Sequence, residues 1–161
     1  MPISTLTDAP ISAPDLLTGF QEELEHSGGI VSFSGVVRGK NAEGERVTSL
    51  FLQAHPTLTE RGIQAALDEA KERWPLEDCL VRHRVGSIAP GETIVFVATA
   101  SAHRRAAFEA ADFLMDYLKT KAVFWKKEVT EAGAAWIEPR AADHHDFGRW
   151  QEAEGTLHAR R

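Results

Sequence analysis

Two kinds of hydrophobic pattern along the chain predict β-strands. Ile30 to Val37 and Thr93 to Ala100 are apolar runs rich in β-branched residues, which are typical of buried strands. From Cys79 to Ile88 apolar and polar residues alternate instead, which predicts a strand with one exposed face. Shorter runs of the same kinds predict further strands over residues 47–53, 123–129 and 135–138.

Apolar residues at helical spacing predict three helices. The longest runs from about Ala102 to Lys121, with Ser101 placed to cap its first turn. Another begins near Thr57, because Thr57 and Glu60 have the spacing of a capping box. A short helix is predicted over Asp15 to Glu25.

The order of these elements is roughly α-β-β-α-β-β-α-β-β. Strand pairs separated by single helices favour an α+β fold, in which a mostly antiparallel sheet packs against helices. The chain has no internal repeat or linker, so we predict a single domain over residues 1–161, with a core at about 28–150 and partly flexible ends. Gly35, inside an apolar strand, indicates a bulge or a close backbone approach.

Composition narrows the class of function. The net charge is −6, whereas proteins that bind nucleic acids usually carry a basic surface, so an anionic ligand requires a local cluster of lysine and arginine. The chain has a single cysteine, Cys79, so no disulfide can form within it. No signal peptide or long apolar segment is recognisable. We therefore expect a cytoplasmic protein without a membrane anchor. His144-His145-Asp146 offers too few spaced ligands for a metal, so neither a metal nor a cofactor is predicted.

The junction before the longest helix is a candidate phosphate site. A helix N-terminus presents free amides and a partial positive charge, and His103 and Arg104 add basic side chains to it. The alternative is an ordinary solvated first turn.

Lysines at and after the end of the same helix form a second candidate. Lys119 falls in the last helical turn, whereas Lys126 and Lys127 follow Phe124-Trp125 in a predicted strand, where only one of them can face a given pocket. A lysine beside aromatic side chains loses hydration, which favours its use as a base or nucleophile. Ordinary surface lysines are the alternative.

Six segments, in order from about Gly28 to Trp150, carry the most specific pattern in the chain. They are GGIVSFSGVVRGKN (28–41), ERWPL (72–76), HRVGSIAPGE (83–92), SAHRRAAFEA (101–110), MDYLKTKAVFWKKE (115–128) and WIEPR (136–140). Together they resemble the catalytic (large) subunit family of molybdopterin synthase.

This resemblance implies a hammerhead-like fold and a homodimer that forms the core of a heterotetramer. A small ubiquitin-like sulfur-carrier subunit, with a C-terminal Gly-Gly thiocarboxylate, would bind at each end. The implied reaction is sulfur transfer from this carrier to cyclic pyranopterin monophosphate, which forms the dithiolene of molybdopterin. The alternatives are a non-catalytic protein that binds a phosphorylated pterin or acts as a scaffold, and a sulfurtransferase that uses Cys79.

The resemblance also implies roles for individual residues. Lys119 and Lys126 match the two lysines regarded as catalytic. The positions that match substrate-binding residues are Val36, Val37, Arg38, His103, Arg104, Lys127, Glu128 and Arg140. Two positions depart from the family pattern: His55 stands where tyrosine is common, and Val123 where proline is common. The sequence does not divide the roles of the two lysines, and it leaves open whether Arg140 acts across the dimer.

Overall fold

The computed structural model describes residues 5–137 and 144–151, which form two four-stranded sheets packed with helices. The predicted α+β class is therefore confirmed. The helices are α1 (Ala13–Glu22), α2 (Leu58–Arg73), α3 (Arg104–Thr120) and a final helix, α4, over residues 144–151. The strands are β1 (Leu6–Thr7), β2 (Gly29–Val36), β3 (Val47–Ala54), β4 (Leu76–Arg84), β5 (Gly86–Ile88), β6 (Thr93–Ser101), β7 (Phe124–Thr130) and β8 (Gly133–Ile137).

The first sheet has the order β1-β4-β6-β2 and is antiparallel except where the short β1 pairs with β4. Its apolar side chains pack on both faces. Val81 and Val97 face a core that includes Phe113 of α3, whereas Phe96 packs with Phe20 of α1 on the other face. The prediction of a buried strand over residues 93–100 is thus confirmed, because helices cover both sides of β6.

The prediction that β2 is largely buried is wrong. This strand lies at the edge of the first sheet, so Phe33 and Val36 are 44% and 51% exposed. The bulge predicted at Gly35 is present, because the pairing of β2 with β6 shifts between Gly35 and Val36. A Cβ atom on Gly35 would lie 2.9 Å from Cγ1 of Val95, so this approach leaves no room for a larger residue.

The strand predicted over Cys79 to Ile88 is interrupted, so that prediction is wrong in part. β4 ends at Arg84, and β5 pairs with β3 in the second sheet, whose order is β5-β3-β7-β8. Gly86, the first residue of β5, has a φ of +90°, a conformation that favours glycine, where the chain passes from one sheet to the other. The alternation that runs to Val85 reverses its phase here, because Ser87 is polar where an apolar residue is expected and Ile88 is apolar where a polar one is expected.

Two predicted helix caps are also wrong. Ser101 ends β6 and donates its hydroxyl to the Pro75 carbonyl at 2.8 Å, while His103 is the N-cap residue of α3 without a side-chain capping bond. At α2 the side chain of Thr57 makes no cap. His55, one of the departures from the family pattern, takes this role, because its Nδ1 accepts the amide of Leu58 at 3.0 Å.

The first and last helices differ from the sequence prediction. α1 begins and ends earlier than predicted, with the hydroxyl of Ser12 accepting the amide of Asp15 at its N-terminus. α4 was not predicted. Its Trp150 packs edge-on against Trp74, with ring centres 5.5 Å apart, and donates Nε1–H to Asp116 at 2.7 Å. Within the described residues, no helix has the length and apolar character needed to cross a membrane.

Candidate functional site

The pairing of β7 with its neighbours decides which of its charged side chains share a face. Lys126 lies opposite Leu52 of β3 and Glu128 lies opposite Leu50, so these two side chains point to the same side of the sheet. Lys127 points to the other side, where its ammonium lies 5.7 Å from the centre of the Trp136 ring. The prediction that only one of the adjacent lysines faces a given pocket is confirmed, and Lys126 is that lysine.

On the Lys126 side, β7 forms one wall of a pocket of about 340 Å³ between the two sheets and the end of α3. Apolar side chains, among them Leu118 and Phe124, line its interior. The residues from the predicted site that line this pocket are Val36, Val37, Arg38, Lys119, Lys126 and Glu128. Segments that are distant in sequence therefore converge here, as the proposed site requires.

Arg38 lies at the pocket, two residues after the end of β2. After the bulge at Gly35, the chain leaves the first sheet, and Val37 exchanges backbone hydrogen bonds with the turn before β6: its amide donates to Glu92 at 3.0 Å and its carbonyl accepts from Gly91 at 2.8 Å. Val37 is buried by these contacts, whereas Arg38 beyond it is exposed. The bulge and this turn thus fix the point at which the arginine side chain emerges.

The pocket has a strongly positive lining. Among the described residues that form it, Arg38, Lys40, Lys119 and Lys126 are cationic and Glu128 is acidic. This local excess of positive charge, in a chain with a net charge of −6, is the kind of cationic cluster that an anionic ligand requires. Lys40 was not among the predicted site residues. Nowhere in the described residues do three or more His, Cys, Asp or Glu side chains gather in a way that could hold a metal ion.

His83 is a second residue that sequence reasoning did not assign to the site. Its ring stacks on Phe124, which lines the pocket, with ring centres 4.1 Å apart, and its Nδ1–H donates to the Arg84 carbonyl at 2.9 Å. Burial lowers the pKa of His83 to about 4, and the charges of Lys126 and Lys119 act in the same direction. The imidazole is therefore neutral near pH 7 and adds no further charge behind the lysines.

The low pKa of His83 predicts an acid-sensitive component of stability. Because the folded-state pKa of about 4 lies below the ordinary value of 6.5, the unfolded chain binds more protons between these values, and stability falls as the pH is lowered through them. We expect His83→Gln to remove this component, worth up to about 3 kcal/mol of unfolding free energy between pH 7 and pH 4.

Urea unfolding at several pH values would measure this effect. His26→Gln, which changes an exposed histidine, serves as the matched control. An equally steep loss of stability in His83→Gln and in the wild type would show that His83 is not responsible.

The structure does not bring His103 and Arg104 to this pocket within one chain. They lie at the N-terminus of α3, whereas Lys119 lies in its last turn. Fifteen residues of α-helix separate Arg104 from Lys119, a distance of about 22 Å along the helix axis. Arg140, the remaining predicted site residue, lies outside the described residues.

The fold and this pocket define an α+β protein with a cation-lined pocket that contains two lysines. The family model described as "MoaE protein" matches residues 6–121, and the chain belongs to this family. The resemblance inferred from the six sequence segments is thereby confirmed.

Similar proteins agree with this assignment. The chain is 48% identical over 150 residues to the molybdopterin synthase catalytic subunit of Caulobacter vibrioides, an alignment that covers 93% of this chain and 98% of that protein. It is 47% identical over 128 residues to the molybdopterin synthase catalytic subunit of Escherichia coli K12, covering 80% and 85% respectively. The solved structure of the molybdopterin biosynthesis MoaE protein from Burkholderia ambifaria superposes with a TM-score of 0.76 at 34% identity, covering 91% of this chain and 95% of that one. The chain thus functions in molybdenum cofactor biosynthesis.

Proposed function

We propose that this chain catalyses sulfur transfer from a thiocarboxylated carrier protein to cyclic pyranopterin monophosphate, which forms the dithiolene of molybdopterin. The observation that supports this reaction most directly is the convergence of Lys119 and Lys126 with Arg38 on one small pocket. Both reactants are anions, so their encounter requires concentrated positive charge. The carrier would be a small ubiquitin-like subunit ending in Gly-Gly, and the reaction would take place in the cytoplasm.

In this proposal the two lysines act on the reacting groups. The sulfur of the thiocarboxylate attacks a side-chain carbon of the pterin, and an oxygen substituent leaves that carbon as the C–S bond forms. Water then hydrolyses the thioester that joins this sulfur to the carrier, which leaves the sulfur on the pterin and releases the carrier as a carboxylate. A second thiocarboxylated carrier repeats these steps at the neighbouring carbon. Lys119 is the central group, as a base or as the electrostatic anchor of the thiocarboxylate, and Lys126 assists proton transfer or stabilises the developing charge. Val36, Val37, Arg38 and Glu128 complete the substrate-binding wall.

The predicted phosphate contacts at His103 and Arg104 fit this reaction only if a second subunit contributes them. A pocket of about 340 Å³ cannot span the length of α3 between Arg104 and Lys119 of one chain. In a two-fold homodimer each surface patch is used twice, so two composite sites arise together. We therefore propose a homodimer in which His103, Arg104 and Arg140 act across the interface, with one carrier at each end of the resulting heterotetramer. The exposed Phe33 and Val36 leave apolar surface that a second subunit can cover.

Lys127 takes no part in the pocket itself, since its side chain lies against Trp136 on the opposite face of β7. A substrate contact by Lys127, as the resemblance implies, would therefore have to form on that outer face.

Sulfur transfer through Cys79 is disfavoured by the position of its thiol. The residue is buried, and Sγ lies 3.8 Å from the Leu67 carbonyl, away from the lysines of the pocket. Burial raises the pKa of Cys79 to about 11. Because the thiolate is the nucleophilic form, this cysteine is nearly unreactive near neutral pH.

Reconstitution with purified components tests the proposed reaction. The chain, the thiocarboxylated carrier and cyclic pyranopterin monophosphate should together yield the dithiolene product, detected by mass spectrometry, and Cys79→Ser should yield it at the wild-type rate. A non-catalytic pterin-binding protein would instead bind the pterin, measured by calorimetry, without forming product. If folded Cys79→Ser formed no product, the result would instead support sulfur transfer through Cys79.

A further inference from the structure

One side chain, that of Asn41, makes hydrogen bonds both within the loop that follows β2 and to a distant strand. This loop, Arg38 to Arg46, is called the Arg38 loop below. Within it, Oδ1 of Asn41 accepts the backbone amides of Glu43 at 3.1 Å and Glu45 at 2.9 Å. The amide of Asn41 also donates to the Glu45 carbonyl at 3.0 Å. The carbonyl end of the Asn41 side chain therefore fixes the local turn, which is a common use of asparagine in loops.

The other end of the same side chain reaches a different part of the fold. Nδ2 of Asn41 donates to Oε1 of Glu128 at 3.0 Å, across 87 residues of sequence, and lies 3.4 Å from Oε1 of Glu45. Glu128 is two residues from Lys126 on the same face of β7. Asn41 thus connects the Arg38 loop to the strand that carries one of the proposed catalytic lysines.

This connection matters because the loop carries two of the cations in the pocket. Arg38 and Lys40 line it together with Lys119 and Lys126, although both loop residues are exposed and Ala42 to Gly44 at the tip are exposed as well. The tip of this loop therefore faces solvent. Backbone hydrogen bonds fix the chain at Val37, beside Arg38, and close the loop between Gly39 and Val47, while Lys40 pairs with Arg46. The Asn41–Glu128 bond ties this closed loop to β7. Without that bond the loop would be less ordered over the pocket, and substrate binding would have to order its cations at a cost in affinity.

We propose that Asn41 is a positioning residue, which ties the Arg38 loop to Glu128 and thereby holds Arg38 and Lys40 over the pocket for the anionic substrate. This inference rests on the proposed function, because it assigns the substrate to the same pocket. Asn41 itself acts through the loop and need not touch the reacting atoms. Its contribution should consequently appear in substrate affinity more than in the rate of the bound complex.

Asn41→Asp keeps the hydrogen bonds that Asn41 accepts within the loop and removes the one that it donates to Glu128. The new carboxylate can still accept the turn amides, but it has no proton to donate and is repelled by Glu128. We expect the KM for cyclic pyranopterin monophosphate to rise about tenfold while kcat changes less than about twofold, since a hydrogen bond to a charged group is worth about this much. In a Glu128→Gln background the glutamine amide can donate to the new carboxylate, so Asn41→Asp should raise KM less than about threefold there.

Two further variants make the test specific. Asn41→Ser keeps an acceptor for the turn amides but is too short to reach position 128, so Glu128→Gln should not reduce its effect on KM. Glu43→Gln, which changes an exposed side chain in the same loop, should leave KM unchanged. All variants are compared below their unfolding temperatures, which are determined first.

Calorimetric Kd values for the pterin, measured without carrier, keep this inference distinct from the proposed function. Wild-type protein that binds the pterin but forms no dithiolene would contradict the sulfur-transfer proposal, while the Kd values would still report on Asn41. An equal loss of affinity from Asn41→Asp in both backgrounds, or no loss in the wild-type background, would overturn the role of the Asn41–Glu128 bond.

Discussion

Replacing Lys119 with alanine is expected to lower sulfur transfer by a factor of about 10² or more while the protein remains folded. The side chain is exposed at the end of α3, where alanine is a good helix former, so the free energy of unfolding should change by less than about 1 kcal/mol. The loss of activity would instead reflect the removal of a base or of positive charge beside the reacting thiocarboxylate. Single-turnover assays with saturating carrier would measure it.

Lys121→Ala is the matched control for this prediction. Lys121 is also exposed and lies two residues further along the chain, but its ammonium faces the Phe147 ring at 5.5 Å instead of lining the pocket. We expect this variant to retain nearly full activity. Near-normal turnover in Lys119→Ala, or an equal loss in both variants, would remove Lys119 from its proposed role.

Mixing two inactive variants is expected to restore activity if the site is shared between subunits. One partner carries Lys119→Ala and the other carries His103→Ala with Arg104→Ala. At equal mixing, half of the dimers are mixed, and each mixed dimer regains one intact site of two, so about a quarter of wild-type activity should return. The physical basis is the length of α3, which keeps the two sets of residues about 22 Å apart within one chain.

The structure also supplies a negative control for this experiment. Lys119 and Lys126 line the same pocket of one chain, so a mixture of Lys119→Ala with Lys126→Ala should stay inactive. Persistent inactivity of the first mixture, with subunit exchange demonstrated by differently tagged chains, would confine the site to one subunit or exclude His103 and Arg104 from it. The same scheme with Arg140→Ala tests whether that residue acts across the dimer.

Local patterns in the sequence determined much of the framework of this protein. The apolar run at β6 and the helical spacing in α3 predicted these elements correctly, because burial on a sheet or against a helix imposes a period on the chain. The alternation of strand side chains also predicted that Lys126 and Lys127 face opposite ways, which the structure confirms. One of the six family segments, residues 115–128, contains both catalytic candidates, Lys119 and Lys126.

Only the tertiary structure decided the contacts that cross between these elements. The sequence did not predict that the chain passes from one sheet to the other at Gly86, that His83 packs behind Phe124, or that Asn41 reaches Glu128. Nor could it show that α3 separates Arg104 from Lys119 within one chain. The physical reason is that periodicity and capping preferences act over a few neighbouring residues. The pairing of distant side chains depends instead on how whole strands and helices pack, which no local pattern specifies.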